Sequence, residues 1–172
     1  MKLHSILGIL LVLTPFLVMA EWQVITHTDT DTNIETRVAY EENESGYTLE
    51  IYRDAVGAVR SRFALVPKLN QLADHNCPTF QIDERQPKNR SINEAPCIPD
   101  KHWAEFILGY IEDNEITSSP LNALMNGKQI TYRFILENGG YKETTFSLAG
   151  SKKAMITALG ERLRINPTPD TN

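Results

Sequence analysis

The side-chain alternation along this chain predicts a mainly β fold: a single-domain antiparallel β-sandwich, jelly-roll-like, closed by a C-terminal α-helix. Three observations carry the prediction. Short period-2 segments separated by turn residues recur through residues 21–66, the pattern of half-buried antiparallel strands. Residues 128–148 read as a hairpin. Ile130, Tyr132 and Phe134 alternate with Thr131, Arg133 and Ile135, and Glu137-Asn138-Gly139-Gly140 supplies the turn, its glycines free to take positive φ. From Ser151 the period lengthens, and Ala154, Met155, Ala158, Leu159 and Leu163 recur at helical spacing.

The elements before the hairpin follow the same logic. Lys2 precedes an uncharged apolar run that ends at Val18-Met19-Ala20, the residue types read by a signal peptidase. Residues 1–20 are therefore expected to be a cleaved signal peptide. The run is short for a membrane span and contains Pro15. Removing Lys2 takes the net charge from −5 to −6. An acidic balance without a basic stripe excludes nucleic acid as the main partner, and no further long apolar stretch predicts membrane insertion. The domain is expected over 21–165, with 166–172 a fraying tail.

Trp22 and Val24 open the domain as a first strand. The polar segment 27–33 places Asp29 and Asp31 two residues apart, but the glycine and distal glutamate of a calcium loop are missing, so a solvated loop is expected. Residues 33–40 predict a strand with Ile34, Thr36 and Val38 on its inner side, followed by an acidic turn at 41–46. Tyr47, Leu49 and Ile51 face inward on the next strand. Val59, Ser61, Phe63 and Leu65 do so on the one after. Leu69, Leu72 and Ala73 fit a single helical turn. Residues 79–82 and the aromatic-rich 103–111 read as strands. Ser118-Ser119-Pro120 starts a short helix that Asn126-Gly127 stops.

Cys77 and Cys97 are the two cysteines. In an exported chain an even count predicts one disulfide, closing a loop worth about 3 kcal/mol in the chain-entropy picture. The segment 83–96 inside that loop is polar and proline-interrupted. Asp83, Glu84, Arg85, Lys88 and Arg90 form the candidate binding loop, since a pinned exposed loop binds with reduced ordering cost.

Catalytic signatures are missing. An oxidising compartment consumes the thiolate that a cysteine nucleophile needs. His27, His75 and His102 are scattered without zinc-ligand spacing. Paired acids at Glu41-Glu42, Asp83-Glu84 and Glu112-Asp113 lie in polar stretches and are expected to be solvated. No phosphate loop or GxSxG elbow occurs, and no cofactor is implied. Trp103, Phe106 and Tyr110 are expected in the core.

Several of these features, taken together, resemble the invasion-associated locus B family of bacterial exported proteins. They are Trp22 at the start of the mature chain, Cys97 before a central strand, and Leu121, Leu124 and Gly127 before Lys128-Gln129-Ile130. Phe146-Ser147-Leu148-Ala149-Gly150, followed by Ala154 and Leu159, completes the pattern. The similarity covers about residues 97–163. It implies a compact periplasmic β-sandwich, in a family with members linked to host-cell invasion, and carries no catalytic motif. The chain departs from the pattern in lacking cysteines in its first half and in carrying the 83–96 loop. The expected function is an exported envelope accessory protein, periplasmic or secreted, that binds a protein or cell-envelope component without catalysis. The alternatives are an envelope hydrolase, with a site drawn from His75, His102, Asp83 and Glu112, and a carrier with a lipocalin-like cavity.

Overall fold

The structure, a computed structural model, describes residues 21–66, 70–74, 76–84 and 97–167. Strands β1 (Gln23–Thr28), β2 (Glu35–Glu42), β3 (Thr48–Arg53) and β4 (Ala58–Ala64) form an antiparallel meander. Strands β5 (Thr79–Ile82), β6 (Cys97–Pro99) and β7 (Trp103–Tyr110) follow. Then come β8 (Glu115–Thr117), α1 (Ser119–Asn126), β9 (Gln129–Ile135), β10 (Tyr141–Ser147), α2 (Ser151–Leu159) and β11 (Arg164–Asn166). The chain is mainly β, as the alternation predicts. One sheet has the order β1-β2-β3-β4-β7-β6 and a second β10-β9-β5, both antiparallel, while β11 and β8 pair in parallel.

The two antiparallel sheets face each other in a sandwich-like arrangement through aromatic side chains. Phe63 on β4 and Tyr132 on β9 stack with centroids 4.5 Å apart and planes 9° from parallel. Tyr47, Phe134 and Phe146 surround Phe63 at 6.0, 5.1 and 6.2 Å, mostly tilted or edge-on, geometries that suit ring quadrupoles. Phe80 and Phe106 extend the cluster beside Tyr132. All four positions expected to face inward on β4 and its continuation, Val59, Ser61, Phe63 and Leu65, are buried. Trp103 and Tyr110 are not core residues, unlike Phe106, because they occupy the two ends of β7.

Local signals set the helices. The Ser118 side chain accepts from the Leu121 N–H at 3.2 Å and caps α1. At Gly127 a Cβ would sit 2.8 Å from both the Ala123 carbonyl and Ile82, so only glycine permits the close passage from α1 into β9. Helix α2 starts at Gly150 (φ 85°), and Ser151 donates to the buried Leu124 carbonyl at 2.9 Å, tying α2 to α1.

Four further expectations are corrected. On β2 the inward residues are Ala39 and Glu41, paired with Ile51 and Leu49, whereas Ile34, Thr36 and Val38 take the opposite phase. Val38 is nonetheless buried, because the outer face of this sheet is itself covered by long side chains. The strand runs through Glu42, so 41–42 is not a turn. Leu72 makes an isolated antiparallel bridge with Leu136 rather than a helical turn, and Leu69, the other end of the expected turn, lies outside the described residues. Leu163 lies beyond the end of α2, and β11 holds the chain in register to Asn166.

Cys77 and Cys97 form the expected disulfide, with Cα atoms 6.2 Å apart. It links the segment entering β5 to β6, and so joins the smaller sheet to the edge of the larger one. Two outcomes follow. Phe63→Ala is expected to lower unfolding free energy by about 3–5 kcal/mol, measured in urea. Replacing both cysteines with alanine is expected to remove about 3 kcal/mol; unchanged midpoints would contradict these roles.

Candidate functional site

Strand phase puts a carboxylate where the sandwich core ends. Glu41 is one residue pair beyond Ala39 on the inner face of β2, opposite Leu49, and is 1 % exposed. Among the described residues neither of its carboxylate oxygens has a hydrogen-bond partner. Burial pushes its pKa up from 4.5 to about 7, and the Ser147 main-chain N–H, close to the carboxylate but outside hydrogen-bond geometry, offsets this only in part. An unpaired buried carboxylate is costly unless it takes up a proton or finds a cation.

Glu41 belongs to the wall of a polar cleft of ≈ 520 Å³, shared with Asn43, Glu44 and Ser45 on one side and Glu143, Thr144, Thr145 and Ser147 on the other. The second side is the edge of β10, the outermost strand of its sheet. The Asn43 amide nitrogen donates to the Thr145 carbonyl at 3.1 Å and to the Thr144 hydroxyl at 2.7 Å. The buried Trp22 indole N–H donates to the Ser147 carbonyl at 2.8 Å. Residues of an antiparallel strand alternately address their partner and the opposite side. The carbonyls of Thr145 and Ser147 point away from β9, so Glu143 shares their outward phase. The Asn43 and Trp22 side chains thus occupy places that an adjoining strand would fill. Glu143 also holds Arg133 at 2.8 Å.

A second charged group lies on the outer face of the larger sheet. Glu105, 5 % exposed, accepts from Arg60 at 2.6 Å, from Arg62 at 3.0 Å and from the Tyr52 hydroxyl. Burial alone would raise its pKa, but Tyr52, Arg60 and Arg62 together hold it below the ordinary range. Arg60 also meets Asp54 at 2.7 Å, and Arg62 lies over the rings of Tyr52 and Trp103. This network is charge-matched and hydrogen-bonded. It reads as a brace across β3, β4 and β7.

The sequence-derived candidates fare differently. Asp83 (φ 53°) accepts from the Lys128 and Gln129 N–H groups at 2.8 and 3.1 Å, and so latches the end of β5 to the start of β9. Glu84 is exposed beside it. Arg85, Lys88, Arg90 and His75 lie outside the described residues. Asp83, His102 and Glu112 sit in three separate turns and do not share a described cleft. Asp29 accepts from the N–H groups of Asp31 and Thr32, closing its own loop. The expectation that Glu41 is solvated is overturned by its burial. The signal that would have found it is strand register, which sequence periodicity pointed to the wrong phase.

No family model, curated protein or solved structure matches the chain.

The two buried glutamates predict opposite pH behaviour. Glu41 has a folded pKa above its ordinary value, so the folded state binds the extra proton and stability falls as pH rises from about 4.5 to about 7. Glu41→Gln is therefore expected to match the wild type near pH 4 and exceed it by about 2–3 kcal/mol at pH 8. Glu105 has a lowered pKa, so its contribution is present at neutral pH and lost as pH falls. Glu105→Gln is expected to cost about 3–5 kcal/mol at pH 7 and less in acid. Urea unfolding across pH checks both; parallel pH curves for wild type and Glu41→Gln would contradict the first.

Proposed function

We propose that this chain is an exported envelope accessory protein that binds a protein partner without catalysis, using the cleft between β10 and the β2–β3 turn. The observation that carries the reading is Glu41, a buried carboxylate with both oxygens unpartnered, in the wall of a cleft beside an open strand edge. A fold does not keep an uncompensated group of that kind for stability, because a neutral side chain of the same size is better tolerated there. A ligand that supplies the missing partner recovers the cost on binding.

Export is supported by the residue pattern at 1–20 and by the Cys77–Cys97 bridge, which persists in oxidising compartments. Among the described residues no helix is long and apolar enough to cross a membrane. The resemblance to the invasion-associated locus B family supports a periplasmic location.

The hydrolase alternative has one observation in its favour: a carboxyl with a pKa of about 7 suits general acid or base work. Among the described residues of the cleft wall no second buried carboxyl accompanies Glu41, since Glu143 is held by Arg133 and Glu44 is exposed.

A photo-crosslinking residue at exposed Ser45 is expected to capture a discrete envelope partner in intact cells. The same residue at Val56, in the β3–β4 turn, is expected to capture none. Equal labelling from both positions, or a chain recovered from the cytoplasm with residues 1–20 attached, would contradict the reading.

A further inference from the structure

The cleft has the features of an unfilled strand position with a charge requirement at one end. Along β10, the outward phase of Glu143, Thr145 and Ser147 leaves a row of main-chain donors and acceptors beside the cleft. Thr145 and Ser147 have their carbonyls met by side chains, Asn43 and Trp22, rather than by a strand. Exposed edges are ordinarily blunted by proline, a bulge or a covering loop. β10 has no proline and pairs with β9 in unbroken register from Tyr141 to Ser147. An edge of this kind accepts an extended peptide by strand addition, with pockets for alternate side chains setting specificity.

The pocket here is set by Glu41. Its carboxylate offers acceptors only, and among the described residues the Ser147 N–H approaches it without completing a hydrogen bond. Glu44 on the cleft wall adds negative charge, while Glu143 is matched by Arg133, and the balance selects a cation. The group that fits is a primary ammonium on an unbranched stem. It brings three donors and one compact charge, and its methylenes can pass the rim while the head reaches the floor.

We propose that the cleft binds an extended peptide, which adds as a strand to the free edge of β10 and places one lysine ammonium at Glu41. The inference rests on reading this cleft as the binding surface, and narrows its partner to a lysine-bearing segment in β conformation. The arriving strand takes over the Thr145 carbonyl from Asn43.

The test is selection of heptapeptides from a displayed random library on the mature, disulfide-bonded chain. The selected peptides are then synthesised and measured by calorimetry against wild type and Glu41→Gln, a variant expected to be well folded. The expected result is a shared lysine flanked by β-branched residues. Lysine→norleucine should weaken binding to wild type at least tenfold and leave binding to Glu41→Gln nearly unchanged. Methylating alternate peptide nitrogens should abolish binding on one of the two phases, and the amide protons of Glu143 and Thr145 should shift downfield on complex formation. Peptides without a basic residue, or insensitive to Glu41→Gln, would overturn this inference while leaving the binding-module reading standing. Butylammonium binding as tightly as the peptides would reduce the site to one for small cations and overturn the strand addition. Recovery of no peptide would overturn both.

Discussion

The stack of Phe63 on Tyr132 is the contact on which the rest of the architecture depends. It joins the middle of a six-stranded sheet to the middle strand of a three-stranded one, and the other core rings are arranged around those two. Aromatic rings in a filled core have few ways to rearrange, because interiors are packed at crystal-like density. Once Phe63 and Tyr132 are fixed, strand spacing decides how far each sheet extends to either side. The disulfide between Cys77 and Cys97 then fastens one flank of the sandwich, where β5 and β6 come from opposite sheets.

The other flank is where the unequal sheet widths show. The larger sheet continues through β3, β2 and β1, while the smaller stops at β10. Helix α2 fills the space under β1, β2 and β3, with Met155 and Leu159 buried there. Between that helix-covered region and the edge of β10, the last inward position of β2 is Glu41. Its environment follows from geometry: the strand must run on to reach the turn that starts at Asn43, and its phase is fixed by Ala39 against Ile51. The raised pKa is the consequence of that placement. Charge on the outer face is handled differently. Glu105, almost as buried, is met by two arginines and a tyrosine, and its pKa moves the other way.

Much of this was legible from residue order. The β9–β10 hairpin, α2, the Ser118 cap and the stop at Gly127 are local devices, each written in a few adjacent residues. The alternation of Val59, Ser61, Phe63 and Leu65 was equally direct, because one face of that strand meets only core. β2 misled for a physical reason. Its outer face is also lined by long side chains, Tyr52 opposite Val38 on β3 and Arg62 nearby, and Val38 is buried in the phase that faces outward. Apolar periodicity then reports coverage and not direction. The site was hidden by the same effect, since Glu41-Glu42 reads as an acidic turn unless the pairing of residue 41 with Leu49 is known. Asp83 illustrates the converse. In sequence it opens a charged loop, yet its carboxylate is spent on the backbone of β9, a partner more than forty residues away. Strand β11 is three residues long, too short to carry a period.

The measurement that bears most directly on this account is the ionisation of Glu41 itself, followed by the side-chain carboxyl carbon shift in NMR spectra from pH 3 to pH 9. A midpoint near pH 7, well separated from the ordinary titration of exposed glutamates, is the result the structure predicts. A midpoint near pH 4.5 would mean that the carboxylate is solvated or already partnered, and would remove the basis for a binding site between β10 and the β2–β3 turn.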